Sequence, residues 1–143
     1  MIVRFMQTSN RVLFFLSLLG VAIAFYVLQG YLRNSPVVCL TNGCELVRKS
    51  PYSLLFGVPV SGYGLIGYGL LAILSFVRTF WSNRRISTIM LAIATGGAGF
   101  VVWFSAVQLF KIGGLCMWCL LSTVNMVTIF LLLVREQRYD YSN

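Results

Sequence analysis

Four long runs of apolar residues dominate the chain, and short polar connections separate them. The runs cover residues 12–32, 58–81, 86–110 and 115–134. Each is close to the roughly 20 residues that an α-helix needs to cross a membrane's hydrocarbon core. The pattern predicts an all-α membrane protein: a single domain, 1–143, folded as a four-transmembrane-helix bundle with an external loop at 33–57.

The external loop contains a shorter amphipathic pattern. Leu46 and Val47 flank polar residues, and Pro51 interrupts any continuous helix. We therefore expect a short half-helix on the membrane surface between the first two spans. The loop itself is too short to form an independent soluble domain.

Composition excludes a water-soluble globule. Hydrophobic side chains make up 59% of the 143 residues and charged ones only 10%, whereas soluble domains are about a quarter charged. The first apolar run follows Arg4 and Arg11 as a signal peptide would. It is longer than a usual signal sequence and no A-x-A-like site follows it, so we interpret it as a retained helix.

The net charge of +8 is explained by membrane topology. The basic residues lie at helix ends and in connections, which does not match a nucleic-acid-binding face. With both termini in the cytoplasm, seven basic residues lie inside and four outside. The inner set is Arg4, Arg11, Arg78, Arg84, Arg85, Arg135 and Arg138, and the outer set is Arg33, Arg48, Lys49 and Lys111. The positive-inside rule favours this orientation.

Glycines and the absence of acidic residues further characterise the four runs. Gly62, Gly64, Gly67 and Gly69 predict close packing of the outer half of the second span, and Gly96 and its neighbours predict a packing notch in the third. No Asp, Glu or His lies within the runs, which argues against a proton-coupled transporter. Arg78 is near enough to a helix end to extend its charge to the surface.

Four cysteines form two pairs, Cys39/Cys44 and the C-x-x-C pair Cys116/Cys119. The predicted topology places both pairs on the non-cytoplasmic side, where disulfides persist. Cys116 is predicted at the start of a helix, which favours a thiolate. Cys119 lies on the same helix face, at the depth of a lipid-dissolved acceptor. These positions indicate a relay from a partner protein through the loop pair to the C-x-x-C pair and a membrane carrier.

Several alternatives to a relay remain open. The loop pair fits an inert structural disulfide, and the whole chain then fits a non-enzymatic tetraspan assembly protein. A small transporter is a third possibility. Zinc bound by four thiolates is disfavoured on the oxidising side of a membrane in a chain without histidine, so no metal site is expected.

Polar and aromatic residues near the C-x-x-C level are candidates for contact with the acceptor. The polar ones are Ser61, Gln108, Ser122, Thr123 and Asn125, which fit either a quinone carbonyl or helix packing. The aromatic ones are Tyr63, Tyr68, Phe100, Trp103, Phe104, Phe110 and Trp118, which fit a flat pocket or ordinary packing. Trp118 is the strongest candidate, because it lies between the two cysteines of the motif.

The chain resembles the vitamin K epoxide reductase family. The resemblance rests on the loop cysteine pair, the segment VRKSPYSLLFGVPVSGYG at 47–64, and CMWC at 116–119. It implies a four-helix bundle around a quinone and a thioredoxin-like partner. It also implies that Cys39 exchanges with the partner, that Cys44 passes electrons to Cys116, and that Cys119 faces the quinone. Ser50 and Ser53 match the serines of the family's S-x-Y-S segment and are expected to be supporting residues.

Two departures from the family pattern bear on the substrate. Members that reduce vitamin K epoxide carry an Asn and a Tyr at quinone contacts, where this chain has Val60 and Thr123. The chain is therefore more similar to microbial members that support disulfide formation, with ubiquinone, menaquinone or vitamin K as acceptor. It resembles the stand-alone type without a fused thioredoxin domain, so a separate partner is expected. Epoxide reduction is the alternative activity.

The resemblance and the predicted topology together give an expected location. We expect a bacterial inner membrane with the cysteines on the periplasmic side, or the endoplasmic reticulum membrane in a eukaryote. A second resemblance, to the bacterial disulfide bond formation protein B family, predicts the same chemistry. That family places its C-x-x-C pair in the first external loop, which is the reverse of this chain.

Overall fold

The structure is a computed structural model that describes residues 2–40 and 42–142. It contains the helices α1 (Ile2–Leu32), α2 (Gly43–Lys49), α3 (Val60–Phe80), α4 (Arg84–Val107) and α5 (Met117–Ser142). All but α2 are long and apolar enough to span a membrane, with a five-residue π-helical turn extending α4. The four predicted spans are confirmed, although α1 begins well before residue 12 and α5 continues past residue 134.

The four long helices form an up-and-down bundle. α1 and α4 each pack against both α3 and α5. Consecutive long helices are antiparallel: short connections join α3 to α4 and α4 to α5, whereas the longer loop 33–59 joins α1 to α3. The ring closes with α5 against α1. The connection between α3 and α4 lies at one end of the bundle, here called the basic end. The loop after α1 and the connection between α4 and α5 lie at the other, the cysteine end.

The hydrophobic core lies between the centre and the basic end, and all four long helices contribute to it. Its fully or nearly buried members are Leu13, Tyr68, Leu71, Met90, Ala94, Met126, Ile129 and Leu133. Tyr68 lies so close to α1 that a Cβ atom on Gly20 would overlap its ring. Its hydroxyl donates to the Ser122 carbonyl oxygen at 2.7 Å. Tyr68 therefore ties α3 to both α1 and α5.

The loop after α1 folds into a small cap over the cysteine end. After α2, Pro51–Ser53 form a 3-10 turn, and the strands β1 (Leu54–Leu55) and β2 (Val58–Pro59) pair antiparallel. Phe56 and Gly57 make the connecting turn with positive φ angles of 52° and 80°. The predicted surface half-helix is confirmed as α2, and it ends at Lys49, just before Pro51.

A buried ion pair joins α3 to α5 at the basic end. Arg78 Nη1 lies 2.7 Å from Glu136 Oε2, and both side chains are at most 5% exposed. The prediction that Arg78 extends to the surface was wrong, because α5 continues beyond residue 134 and brings Glu136 against it. For the same reason, α5 does contain an acidic residue. Asn10 Nδ2 adds hydrogen bonds from α1 to Ser75 O and Thr79 Oγ1.

Candidate functional site

The four cysteines meet at the cysteine end of the bundle. Cys39 and Cys44 form a disulfide, with a Cα–Cα distance of 6.3 Å. Cys116 and Cys119 are free thiols. The Cys116 Sγ atom lies 3.2 Å from Cys44 Sγ, although the two residues are 72 positions apart. Thiol–disulfide exchange requires a thiolate to approach a disulfide sulfur, and this pair of atoms is already in contact.

Accessibility differs along this row of sulfurs. Cys39 is partly exposed in the loop, Cys44 and Cys116 are buried, and Cys119 is partly exposed toward an internal cavity. A partner protein in solution can therefore reach Cys39 more readily than the buried sulfurs. The row leads from the surface cap to the interior of the bundle.

The approach of Cys44 to Cys116 depends on Gly43. A Cβ atom on Gly43 would overlap the carbonyl group of Leu115, which is backbone and cannot move as a side chain can. A Cβ atom on Gly114 would likewise lie 3.5 Å from Gly43 Cα. The sequence predicts a turn at Asn42-Gly43. The structure shows that Gly43, which has no Cβ atom, also permits backbone contact between α2 and the segment before α5.

Gln108 holds the backbone of Cys116. The π-helical turn Gln108–Ile112 ends α4, and Gln108 is 1% exposed. Its Oε1 atom accepts a hydrogen bond from the Cys116 amide at 3.0 Å. Cys116 immediately precedes α5, and its carbonyl accepts the first helical hydrogen bond, from Leu120 N. The sequence predicts Cys116 at the start of this helix, and the structure places it at the capping position just before the first turn.

The environment of Cys116 favours its thiolate form. A hydrogen bond from the Cys119 thiol lowers the pKa of Cys116 from its ordinary value of 9.0 to about 7, against the opposing effect of burial. Backbone hydrogen bonds from Cys119 and Trp118 lower the pKa further. Because the thiolate is the reactive form, Cys116 is activated near neutral pH.

A cavity of about 440 Å³ opens beside the C-x-x-C pair, among the four long helices and below α2. Its size falls within the range of small-molecule sites, and its wall is mostly apolar. Among the residues singled out from sequence, the wall contains Ser53, Ser61, Trp118, Ser122, Thr123, Tyr63, Tyr68, Phe100 and Phe104, together with Cys44, Cys116 and Cys119. The structure therefore brings most of the candidate residues to one cavity.

Several glycines of α3 and α4 border this space. Gly64, Gly67, Gly96 and Gly97 all line the cavity. A Cβ atom on Gly67 or Gly96 would have no heavy atom within 4 Å. The expectation of close packing is confirmed at Gly97, where a Cβ atom would lie 2.8 Å from Met126 Cε on α5. It is wrong at Gly67 and Gly96, where the missing side chains leave part of the opening.

Three further polar candidates, besides Gln108, have hydrogen bonds within the bundle. Ser122 Oγ lies 3.1 Å from the Tyr68 hydroxyl, and Thr123 Oγ1 donates to the Cys119 carbonyl at 2.8 Å. Asn125 Nδ2 donates to Leu16 O on α1 at 3.0 Å, and Asn125 is not part of the cavity wall. The structure thus places Asn125 at a helix contact, away from the other candidates.

Trp118 and the cap are connected through residue 38 of the loop. Trp118 Nε1 donates to Val38 O at 2.7 Å, and Val38 N donates to the Tyr26 hydroxyl at 3.3 Å. The rings of Tyr26 and Trp118 pack with centroids 4.9 Å apart. The two aromatic side chains therefore hold the backbone immediately before Cys39 over the cavity.

Ser50 and Ser53 organise the cap. Ser50 Oγ accepts a hydrogen bond from Tyr52 N and begins the 3-10 turn. The Ser53 hydroxyl is 2.7 Å from Ser50 O and 3.1 Å from Arg48 O. Arg48 also pairs with Glu45 at 2.8 Å, and this hydrogen bond lowers the pKa of the Glu45 carboxyl.

Replacing Gly43 by alanine is expected to slow exchange between Cys44 and Cys116 by at least about tenfold. A new Cβ must displace α2 from the Leu115 backbone, and disulfide exchange is sensitive to sulfur approach. Quenching the reaction at set times with an alkylating reagent, followed by peptide mass spectrometry, measures how quickly electrons move between the two cysteine pairs. Gly99→Ala on α4 is the control glycine substitution, because Gly99 lies outside the cavity wall, has a helical backbone and has no heavy atom within 4 Å of a Cβ position. An unchanged exchange rate in Gly43→Ala would contradict the close-contact interpretation.

Comparison with known families agrees with this geometry. The model of the vitamin K epoxide reductase family matches residues 11–134, which include all four cysteines and most of the bundle. Comparison with curated protein sequences gives no significant match. The family match covers most of the chain and coincides with a membrane bundle that brings two cysteine pairs together. The chain therefore belongs to the vitamin K epoxide reductase family, whose members are membrane oxidoreductases acting on thiols and quinones.

Proposed function

We propose that this protein passes electrons from a reduced thioredoxin-like protein to a membrane quinone and thereby supports disulfide bond formation. The observation that carries the proposal is the 3.2 Å contact between Cys44 Sγ and Cys116 Sγ. This contact links a disulfide in the surface cap to a dithiol on the wall of an apolar cavity. A purely structural disulfide would not require a free, buried thiol at that position.

Electrons move through successive thiol–disulfide exchange steps. The partner's dithiol first reduces Cys39–Cys44 and becomes a disulfide. The Cys44 thiolate then attacks Cys116 Sγ of an oxidised Cys116–Cys119 pair, forming Cys44–Cys116 and releasing Cys119 as a thiolate. Cys39 next attacks Cys44, which restores the loop disulfide and leaves Cys116 and Cys119 reduced. Two electrons have then crossed from the cap to the C-x-x-C pair.

The final acceptor is a quinone in the cavity. Cys116 and Cys119 give up two electrons and two protons and close their disulfide, while the quinone becomes a hydroquinone. The cavity fits a quinone ring, because it is about 440 Å³ in volume, is mostly apolar and has both thiols in its wall. Of the candidate contacts, Ser61, Trp118, Ser122 and Thr123 border this space. We omit Asn125 from the proposed contacts because its amide bonds to α1.

A quinone is proposed as the acceptor in preference to an epoxide. The cavity wall has Val60 and Thr123 at positions where epoxide-reducing members carry Asn and Tyr. Valine provides no hydrogen-bond donor, and Thr123 is engaged with the Cys119 carbonyl. Ubiquinone, menaquinone and vitamin K all have the ring chemistry that the cavity accommodates.

The partner is proposed to dock around Cys39. Val38 and Leu40 flank this cysteine and are 75% and 89% exposed. An exposed apolar backbone segment beside a disulfide provides a surface that a thioredoxin-like protein can contact. We place this end on the non-cytoplasmic side, because the basic residues are more numerous at the opposite end. In a bacterium this side is the periplasm, and in a eukaryote it is the lumen of the endoplasmic reticulum.

The test is anaerobic quinone reduction by the purified protein in detergent. The protein is first reduced, freed of reductant and mixed with a water-soluble quinone. We expect rapid loss of quinone absorbance for the parent and loss only at the background rate for Cys119→Ser. The Cys119→Ser protein retains three cysteines, so it controls for direct reaction of any thiol with quinone.

A second variant separates the two halves of the relay. Cys39→Ser is expected to reduce quinone when a small membrane-permeant dithiol is supplied, and to lose reduction driven by a thioredoxin-like protein. If the parent shows no quinone loss above the thiol background, the chemistry is wrong, and a tetraspan assembly protein with structural disulfides becomes the better interpretation.

A further inference from the structure

The buried Gln108 side chain has one amide atom in use and one available. Its Oε1 atom accepts from the Cys116 amide, and because that amide can only donate, the oxygen must face Cys116. This assignment leaves Nε2 as the other end of the group. Nε2 is buried and has no hydrogen-bond partner among the residues that the structure describes. An unsatisfied buried donor is costly, so its retention needs an explanation.

Cys119 lies one helical turn beyond Cys116, the residue whose amide Gln108 holds, so the Cys119 sulfur is on the same side of α5 as the Gln108 amide group. In the structure Cys119 is a thiol, which is a weak acceptor. During exchange the Cys116–Cys119 bond breaks, and its electron pair leaves on Cys119 Sγ as a thiolate. A strong acceptor thus arises beside Nε2 only while the relay operates.

We propose that Gln108 is a positioning residue with two tasks: Oε1 sets the Cys116 backbone against Cys44, and Nε2 donates to the Cys119 thiolate released during exchange. This inference rests on the proposed electron relay. A fixed donor aimed at developing charge in a site shielded from water stabilises that charge without reorganisation. The π-helical turn provides the placement, because it turns Gln108 into the bundle at the end of α4.

Several other polar groups in the cavity wall donate their hydrogen bonds to oxygen atoms elsewhere. The charged or titratable residues that share the cavity wall with Cys119 are Arg48, Cys44, Cys116, Tyr31, Tyr63 and Tyr68. Arg48 hydrogen-bonds Glu45 and Asn34, and the Tyr68 hydroxyl donates to Ser122 O. The Thr123 hydroxyl donates to the Cys119 carbonyl and not to its sulfur. Gln108 is therefore the candidate donor at the leaving sulfur.

The test uses the Cys39→Ser protein, in which one disulfide and one thiol are shared among three cysteines. The protein is held at alkaline pH, where the remaining free cysteine is a thiolate. Two species then compete: Cys44–Cys116 with Cys119 free, and Cys116–Cys119 with Cys44 free. Rapid alkylation and peptide mass spectrometry give the ratio of the two species. Gln108→Leu is expected to lower the ratio of Cys44–Cys116 to Cys116–Cys119 by about tenfold, since hydrogen bonds to charged groups have effects of that size or larger.

Gln108→Glu separates the two tasks. The carboxylate keeps an oxygen that can accept from the Cys116 amide, but it replaces the Nε2 donor with a negative charge. We expect the ratio to fall at least as far as in Gln108→Leu, because like charges oppose the thiolate. A ratio equal to that of the parent would show that only the backbone contact matters and would overturn the donor role. This variant is nearly isosteric, so the test does not depend on Gln108→Leu folding.

Gln29→Leu provides the matched control. It makes the same change on α1 near the cysteine end, at a residue outside the cavity wall, and should leave the ratio unchanged. The experiment uses neither quinone nor a partner protein. The disulfide ratio can therefore be interpreted even if the protein fails to reduce quinone. An unchanged ratio of Cys44–Cys116 to Cys116–Cys119 in both Gln108 variants would overturn this inference without affecting the electron relay.

Discussion

Replacing Cys116 by serine is expected to abolish reoxidation of the loop cysteine pair by quinone. Cys116 Sγ is the atom in contact with Cys44 Sγ, at 3.2 Å. A serine hydroxyl cannot form a disulfide, so electrons in the cap would have no route to the cavity. After reduction of the whole protein and addition of quinone, differential alkylation should find Cys39 and Cys44 oxidised in the parent and reduced in Cys116→Ser. We expect a rate loss of at least about a thousandfold, as for removal of a covalent nucleophile.

The Cys39→Ser protein is the informative comparison. It lacks the thiol that resolves the Cys44–Cys116 intermediate, so this mixed disulfide should accumulate after oxidation instead of disappearing. Reoxidation of the loop pair at the parental rate in Cys116→Ser would show that quinone, or Cys119, reaches the cap directly. The proposed order of cysteines would then be incorrect.

Removing the carboxylate of Glu136 is expected to cost about 3–5 kcal/mol of folding free energy. Glu136→Leu leaves the Arg78 guanidinium buried without its 2.7 Å partner, and an uncompensated buried charge has a penalty of this size. Denaturation in mixed micelles, followed by circular dichroism, measures the change. Because the pair lies at the basic end, far along the bundle from the cysteines, the surviving folded protein should retain its thiol chemistry.

Two further variants test whether burial of the ion pair causes the loss of stability in Glu136→Leu. Asp140→Asn breaks the exposed contact with Arg84 at 3.7 Å and should cost less than about 1 kcal/mol. Combining Arg78→Met with Glu136→Leu removes both charges and should recover most of the stability lost in Glu136→Leu. Equal effects of Glu136→Leu and Asp140→Asn would contradict the assignment of a buried ion pair.

The four spans and the surface half-helix were predictable because they depend on the length and hydropathy of contiguous segments. Inside a membrane, backbone N–H and C=O groups cannot bond to water. A run such as 86–110 therefore satisfies them by forming a helix. The helix ends were less predictable. α5 continues to Ser142 and thereby brings Glu136 against Arg78 of a different helix, and no local sequence pattern indicates that partner.

The candidate site was partly predictable, because some of its features are local in the sequence. Cysteine spacing and the family resemblance indicated the two redox pairs, and helical periodicity placed Ser122 and Thr123 near them. Asn125 belongs to the same polar stretch but bonds to Leu16. Its direction depends on how α5 is rotated against α1, which the composition of α5 alone does not specify. The cavity-lining role of Gly67 and Gly96 was missed because a glycine in a membrane helix fits close packing and empty space equally well.

The sequence by itself determined that this chain is a membrane bundle with two cysteine pairs at one end, since hydrophobic length and cysteine spacing are properties of local segments. Only the tertiary structure decided which sulfurs touch. The contact between Cys44 and Cys116 requires Gly43 to lie against Leu115 and Gln108 to hold the start of α5, and these residues are far apart along the chain. Packing of separate helices, and not any single segment, sets distances of this kind.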